Sequence, residues 1–264
     1  MLSYFSPKKI AEQITLSGIA KAKLPVLKFI LLAILGGVYI SFGCLISMLV
    51  AGGMPEMAAS NPGIVRLWAA AVFPIGLIMV VIAGADLFTS DCAIMVFPVM
   101  EKNVKMKSLL RIWGFSYVFN FVGAIAIAYF FAYKTGFVSV SPWKEYLHEL
   151  AFAKTSADFF TVFLKGIGAN WLVCLAVWMA LASKDVMGKC ISIWMPIMLF
   201  VAMGYEHSIA NMCFIPAAIF SGANVTWLEF GVNNLIPATL GNIVGGAAFV
   251  GCLYWYIYLK KETK

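Results

Sequence analysis

Six apolar stretches, spaced along almost the whole chain, limit what this sequence can fold into more than any other feature. They cover about residues 26–50, 68–100, 108–132, 158–182, 190–221 and 233–259, and polar residues interrupt the second and the fifth. A helix of about 20 apolar residues crosses the hydrocarbon core of a bilayer. Because only 12% of the residues are charged, the chain also lacks the polar surface of a soluble domain. The sequence predicts a single all-α membrane domain, residues 1–264, with six transmembrane helices.

The lysine and arginine residues predict the orientation of these spans. An even number of spans places both termini on one side, and basic residues are enriched on the cytoplasmic side of membrane proteins. With both termini in the cytoplasm, the inner basic residues are Lys8, Lys9, Lys21, Lys23, Lys28, Lys102, Lys105, Lys107, Arg111, Lys184, Lys189, Lys260, Lys261 and Lys264. The outer ones are Arg66, Lys134, Lys144 and Lys154. The net charge of +7 therefore reflects topology, and we expect no binding of nucleic acid.

The segment of residues 1–24 precedes the first span and is more polar than the rest. Ser6 is a suitable helix cap, and Pro7 suits the first position of a helix. We expect a short amphipathic helix on the cytoplasmic face. It is either a basic leader that sets the topology or an element that gates a pore.

The cysteines do not indicate a metal site or a disulfide framework. They lie in or beside apolar spans and show no Cys-x-x-Cys spacing; they are Cys44, Cys92, Cys174, Cys190, Cys213 and Cys252. One histidine, His207, lies inside a predicted span, without paired ligands at helical spacing. We therefore expect no metal, no cofactor and no enzymatic activity.

Two halves of the chain share a pattern that indicates an inverted repeat. The block Gly84-Ala85-Asp86-Leu87 resembles Gly204-Tyr205-Glu206-His207, and Asn120-Phe121-Val122-Gly123-Ala124 resembles Asn242-Ile243-Val244-Gly245-Gly246. Three spans separate the copies, so the copies run through the bilayer in opposite directions. Repeat one covers about residues 26–132 and repeat two about residues 158–259. In membrane transport proteins built this way, the working site lies at the repeat interface near the midplane.

The interruptions of spans two and five place polar residues where that interface is expected. Unwound backbone at that depth is tolerated only in protein or beside a cavity, and the amino-terminal ends of half-helices favour anions. His207 lies at one interruption, and ionisable residues inside a membrane are functional by default. Thr89, at the other interruption, is able to donate its hydroxyl to a substrate or to His207. The sequence thus predicts a polar site between two broken helices.

Four motifs resemble the formate–nitrite transporter family. They are Val81–Ser90 (VIAGADLFTS), Gly166–Ala176 (GIGANWLVCLA), Gly204–Met212 (GYEHSIANM) and Asn234–Pro237 (NLIP). Because the motifs are long, ordered and spread over nearly the whole chain, they are more specific than any single short pattern.

The resemblance implies an aquaporin-like fold, a homopentamer, and a separate pore in each protomer for small monovalent anions or their conjugate acids. Formate, hydrosulfide and nitrite are the candidate substrates. At matching positions it implies a central pair, Thr89 and His207, with Lys154 adding positive potential at the outer vestibule. It also implies apolar constrictions formed by Phe73, Leu77, Leu87 and Phe200. The implied location is the bacterial cytoplasmic (inner) membrane, with several spans.

Three further polar residues are expected to support the interruptions. Asp86 and Glu206 occupy equivalent positions in the two repeats, and a carboxylate lining an anion path would repel the anion. We therefore expect these two side chains to hold loop N–H groups. Asn170 is expected to orient the same loops, and Asn120 and Asn242 to pack helices beside small glycines.

The mechanism expected from these residues is proton donation. An anion in the vestibule takes a proton from His207 and crosses the constriction as a neutral acid, because a bare anion without ligands costs several kcal/mol more. A proton-coupled secondary transporter with the same histidine is the alternative. A neutral-solute pore fits less well, because paired Asn-Pro-Ala boxes are missing.

Overall fold

The computed structural model describes residues 4–261, and within them the fold is built from helices. The predicted inner residue Lys264 lies outside the described residues. In chain order the helices are α1 Pro7–Lys23, α2 Val26–Gly52, α3 Pro55–Ser60, α4 Pro62–Gly84, α5 Phe88–Met100, α6 Met106–Tyr133, α7 Trp143–Ser156, α8 Phe159–Ala182, α9 Val186–Ala202, α10 Ser208–Phe220 and α11 Trp227–Tyr258. A 3-10 turn, Phe137–Ser139, precedes α7. The predicted all-α class is confirmed.

Five of these helices, α2, α4, α6, α8 and α11, are long and apolar enough to cross a membrane. The shorter apolar helices α5, α9 and α10 occupy the predicted spans two and five. The segment between the third and fourth spans, for which no helix was predicted, contains α7. Its buried residues Leu147, Ala151 and Thr155 are four positions apart and so lie on one face of the helix.

Both predicted interruptions are present. Residues 85–87 separate α4 from α5, and residues 203–207 separate α9 from α10. Gly84 and Gly204 begin the breaks with φ values of +84° and +67°. Only glycine adopts such left-handed backbone without steric cost, so these two residues fix where each first half-helix ends.

One asparagine side chain supports the break in repeat one. Asn120 of α6 accepts a hydrogen bond from the Phe88 N–H, 2.8 Å away, at the start of α5. Its amide nitrogen donates to the carbonyl oxygens of Asp86, at 2.9 Å, and Ala33, at 2.5 Å. The broken backbone therefore keeps its hydrogen bonds although water is excluded.

Repeat two has the same arrangement. Asn242 of α11 accepts from the Ser208 N–H at 2.8 Å and donates to the carbonyl oxygens of Glu206, at 2.9 Å, and Gly166, at 2.8 Å. The expectation that the asparagines only pack helices was therefore incomplete. Their matching contacts confirm the inverted repeat at the level of single hydrogen bonds.

Glycines allow the paired helices to approach closely. A Cβ atom added at Gly37 of α2 would overlap the Asn120 carbonyl oxygen of α6, and one added at Gly123 would overlap the Ile34 carbonyl oxygen. In repeat two, a Cβ at Gly245 of α11 would overlap the Ile167 carbonyl oxygen of α8. Small residues at such contacts let two backbones approach within a membrane, which brings each asparagine to its break.

Helix α1 lies against the ends of the bundle, as expected for an amphipathic segment. The Ser6 side chain accepts from the Lys9 N–H at the helix start. Ile10 and Ile14 are buried in one cluster with Phe97 and Trp178. The helix is thus part of the packed fold, while its role as leader or gate stays a prediction.

Candidate functional site

The two breaks bring Thr89 and His207 into contact. Thr89 lies in the first turn of α5, and His207 is the residue that caps α10. Their Oγ1 and Nε2 atoms are 3.0 Å apart, and both side chains are buried. A hydroxyl and an imidazole, 118 residues apart in sequence, therefore share one hydrogen bond where two half-helices meet.

The hydrogen bond of Nδ1 determines which ring nitrogen of His207 carries the hydrogen in the neutral form. Nδ1 accepts a hydrogen bond from the Ala210 N–H at 3.1 Å and so caps α10. With Nδ1 as acceptor, the ring hydrogen of the neutral imidazole is assigned to Nε2, which donates to the Thr89 hydroxyl. A second proton on Nδ1 requires the Ala210 bond to break.

An apolar slot lies beside His207. Its volume is only about 10 Å³. All four residues expected to form constrictions line it, namely Phe73, Leu77, Leu87 and Phe200. The rings of Phe73 and Phe200 meet edge to face with centroids 5.7 Å apart, and His207 stacks on Phe200 at 5.8 Å. A slot of this size has room for about one water molecule.

A larger cavity of about 410 Å³ opens on the other side of the two phenylalanines. Phe73, Phe200 and His207 line it as well, so the phenylalanine pair separates the cavity from the slot. Its charged lining residues are Lys154 and two that were not singled out from sequence, Arg66 and Glu149. An anion entering this cavity would meet two cations and one carboxylate before reaching His207.

Lys154 is held at the cavity by Glu206. The ammonium and a Glu206 carboxylate oxygen are 2.9 Å apart, and both side chains are mostly buried. The same Glu206 oxygen accepts from the amide groups of Asn211, at 2.7 Å, and Asn234, at 3.2 Å. Lys154 is therefore a positioned, charge-paired group and not a loose surface cation.

The fold agrees with comparisons to known proteins. The family model described as Formate/nitrite transporter matches residues 8–256. The chain belongs to the formate/nitrite transporter family. It is therefore a multi-pass membrane protein, and the fold is the aquaporin-like one that the motifs implied.

Two relatives and two solved structures of this family match over nearly their full length. A probable formate transporter of Methanothermobacter thermautotrophicus is 47% identical, covering 98% of this chain and 99% of that protein. A formate channel of Bacillus thuringiensis is 37% identical, with 99% of both chains covered. Among solved structures, a pentameric formate channel with formate bound has a TM-score of 0.78 and 34% identity, covering 89% of this chain and 98% of that one. An ion channel of the same family has a TM-score of 0.88 and 29% identity, covering 94% and 98%.

One ionic cluster of this family member was missed at the sequence level. Lys21 of α1 forms ion pairs with Asp86, at 2.9 Å, and with Asp91. Burial lowers the pKa of Lys21, but the two carboxylates raise it above its ordinary value, so this lysine stays charged. In the sequence, Lys21 contributed only to the predicted orientation. Its equivalence to Lys154 is seen in the structure: Lys21 lies 11 residues before Leu32 and Lys154 lies 11 residues before Lys165, and the carbonyl oxygens of Leu32 and Lys165 accept from the Asp86 and Glu206 N–H groups.

The contacts of Asp86 and Glu206 differ from the expected ones. Each carboxylate binds a lysine, whereas the loop N–H groups at Phe88 and Ser208 are held by asparagines. An amide side chain both accepts and donates, so one asparagine satisfies an N–H and two carbonyl groups, which a carboxylate is unable to do.

Asn170 lies where it was expected, beside the breaks. It donates to the carbonyl oxygens of Thr89, at 3.0 Å, and Asn242, at 2.6 Å. It thereby connects the half-helix that carries Thr89 to the asparagine that supports the break next to His207.

Proposed function

We propose that this chain forms a pore through which formate and similar small monovalent anions cross the membrane as neutral acids, with His207 as the proton donor. The single observation that carries the proposal is the position of the Thr89–His207 pair. His207 lines both the 410 Å³ cavity and the apolar slot. The names of the relatives, which include formate transporters and channels, support formate as the substrate.

The physical reason for protonation is the apolar slot. An anion in the cavity keeps its water and faces the cations Arg66 and Lys154. Within residues 4–261, the slot has no cation in its lining and is too small for a hydrated anion. Moving an unpaired charge into such surroundings costs several kcal/mol more than moving a neutral acid. Protonation removes most of this barrier.

The proton transfer has two steps. The Nδ1 atom of His207 first releases the Ala210 N–H and takes a proton from the cavity water, which gives an imidazolium. The imidazolium then transfers a proton to the anion, and the neutral acid enters the slot. His207 returns to the neutral form that caps α10, so one proton crosses with each anion.

The assembly and orientation belong to the same proposal. A pentamer with one pore in each protomer is supported by the pentameric formate channel that the fold matches. Both termini lie in the cytoplasm and the membrane is the bacterial cytoplasmic one, which the distribution of lysines supports. Residues 1–24 then lie on the inner face, and the repeats at about 26–132 and 158–259 enclose the pore.

The test is a flux assay in proteoliposomes with formate, hydrosulfide and nitrite between about pH 5 and 8, where histidine changes its charge. We expect His207→Phe to abolish acid-coupled formate flux. His148→Phe is the matched control, because His148 lies on α7 and bonds to Ser221 away from the slot. If His207→Phe and the unmodified protein gave equal formate flux at every pH, the proposal would be wrong.

A second candidate is a proton-coupled transporter that alternates its access, which the closed 10 Å³ slot favours. A pore gives flux that rises with formate concentration without early saturation, together with single-channel events. An alternating transporter saturates and shows no such events.

A further inference from the structure

The lysine clusters of the two repeats differ in charge at the residue five positions after the first carboxylate. Asp91 follows Asp86 by five positions, and Asn211 follows Glu206 by five positions. In repeat two the Asn211 amide donates to the Glu206 carboxylate at 2.7 Å. In repeat one the equivalent residue is a second carboxylate, which has no hydrogen to donate when it is ionised.

The cluster around Lys21 has more acid than base. Lys21 faces both Asp86 and Asp91, whose side chains are 3% and 0% exposed. Each carboxylate has one oxygen on the lysine and one oxygen, Asp86 Oδ1 or Asp91 Oδ2, without a hydrogen-bond partner. Two ionised carboxylates against one ammonium would leave one buried negative charge unpaired, which is strongly unfavourable.

The helices packed around Asp91 do not supply that missing charge. Across residues 4–261, the ion pairs of these two carboxylates are those with Lys21. The neighbouring titratable groups are the buried thiols of Cys92 and Cys174, which carry no positive charge. The Trp113 indole donates to the Asp91 backbone oxygen, and Arg111 donates to the Ala22 carbonyl.

We propose that Asp91 holds a proton and that the Asp86–Asp91 pair is a second proton-exchange site, on the cytoplasmic side of the pore. The Asp91 O–H donates to the free Asp86 oxygen and takes the place of the Asn211 amide in repeat two. Lys21 and Asp86 then form a one-to-one ion pair, like Lys154 and Glu206.

The consequence for transport rests on the proposed function. As cytoplasmic pH rises, Asp91 releases its proton to water beside the partly exposed Lys21, and the cluster gains a negative charge. That charge repels an anion approaching from the cytoplasm. Flux from the inner side therefore falls with rising cytoplasmic pH, while the outer cluster, with Asn211, lacks this response.

The direct test is infrared spectroscopy of the protein in lipid, which detects the carbonyl stretch of a protonated carboxyl group. We expect a band that disappears in Asp91→Asn, and a second band in the mirrored variant Asn211→Asp. Asp86→Asn is the backup variant, because it pairs an ionised Asp91 with Lys21 and also removes the band. A wild-type spectrum without the band, or a band unchanged in Asp91→Asn, would overturn the proposal.

The transport test uses inverted membrane vesicles, in which the cytoplasmic face is outward, with the pH varied on that face alone. Proton-coupled uptake through the pore falls as the outward face becomes more alkaline, and deprotonation of Asp91 should add a further fall of up to about tenfold per pH unit above its midpoint, the limit for one proton. Asp91→Asn should lose this added fall and keep the rest, and an equally steep fall in Asp91→Asn would contradict the proposal. His207→Phe should keep the infrared band, so failure of the pore mechanism and failure of this site are distinguishable.

Discussion

At the scale of single residues, His207 uses its two ring nitrogens for different tasks. Nδ1 caps α10, and Nε2 contacts Thr89. The equivalent residue in repeat one, Leu87, precedes α5 without a side-chain cap and lines the slot instead. Protonation of Nδ1 removes the cap of α10, and a lost cap destabilises a helix by about 1 kcal/mol. The inverted repeat thus places one polar and one apolar side chain at related positions.

The two phenylalanines between cavity and slot make a first prediction. Phe73→Ala together with Phe200→Ala should join the two spaces, because these rings line both. A wider, wetter path lowers the cost of charge. We expect measurable anion current in planar bilayers near neutral pH. Phe160→Ala, at an exposed site on α8, is the control and should give none. If the double variant gave as little anion current as the control, the two rings would not be the barrier.

The Lys154–Glu206 pair makes a second prediction, on stability. Lys154→Met leaves the Glu206 carboxylate buried beside Asn211 and Asn234 without a cation. Breaking a buried pair on one side costs about 3–5 kcal/mol, whereas replacing both partners by apolar residues is often close to neutral. Thermal unfolding in detergent should therefore show a large loss for Lys154→Met.

The double variant Lys154→Met with Glu206→Leu is the informative comparison for that pair. It should recover most of the lost stability while formate flux stays low. Equal Tm values for the single and the double variant would contradict this account of the cavity.

The interrupted spans predicted Thr89 and His207. The four slot residues were implied by the family resemblance, since apolar composition does not distinguish them from residues that pack helices in lipid. Sequence patterns did not locate the ion pairs of Lys21 with Asp86 and Asp91. The last of these joins residues 70 positions apart, and neither hydropathy nor spacing within one helix reports on such a contact. Arg66 and Glu149 were missed for a similar reason, since the cavity that they line exists only after α4 and α7 pack.

At the scale of helices, the polar interruptions predicted both breaks, while the helix ends depended on tertiary contacts. Gly84 and Gly204 terminate the first half-helices, and Asn120 and Asn242 hold the second ones. Helix α7 was not predicted, although Tyr146, Leu147, Leu150 and Ala151 recur at the spacing of a helix face, because its 14 residues are too short for a span and lie between two spans. Propensity is weak where packing supplies most of the helix stability.

The contact between α2 and α6 makes a third prediction. Gly37→Ala places a methyl group against the backbone of Asn120, which supports the break in repeat one. Backbone is unable to move aside as a side chain does, so we expect a loss of about 3 kcal/mol or more and little folded protein. The yield of monodisperse protein and its Tm measure the effect.

Gly114→Ala on α6 is the matched control for that substitution. A Cβ atom there meets nothing within 4 Å. Alanine favours a helix over glycine by about 1 kcal/mol, so the variant should be as stable as the unmodified protein or slightly more stable. A Gly37→Ala protein as stable as this control would mean that the two helices are not so close.

At the scale of the whole molecule, the inverted repeat and the lysine distribution define two distinct faces. The 410 Å³ cavity, with Ala58 in its lining, belongs to the outer face in the proposed orientation. Asn103 lies in the exposed turn between α5 and α6, on the inner face. The positive-inside rule supports this orientation.

Thiol labelling makes a fourth prediction, on orientation. In a background with Cys190 and Cys252 replaced by serine, Ala58→Cys should react with a membrane-impermeant reagent added outside intact cells. Asn103→Cys should react only in inverted vesicles. The four other cysteines are buried and should stay silent. If Asn103→Cys reacted in intact cells and Ala58→Cys only in inverted vesicles, the topology would be the reverse of the proposed one.

The small volume of the apolar slot has a bioenergetic consequence. Water conducts protons along unbroken hydrogen-bonded files, but a space of about 10 Å³ between phenylalanine and leucine side chains is too small for such a file. Hydronium therefore has no relay through the slot. Protons then cross only one with each anion, so the weak acid moves without net charge and a cell can keep such a protein in an energised membrane without discharging the membrane potential.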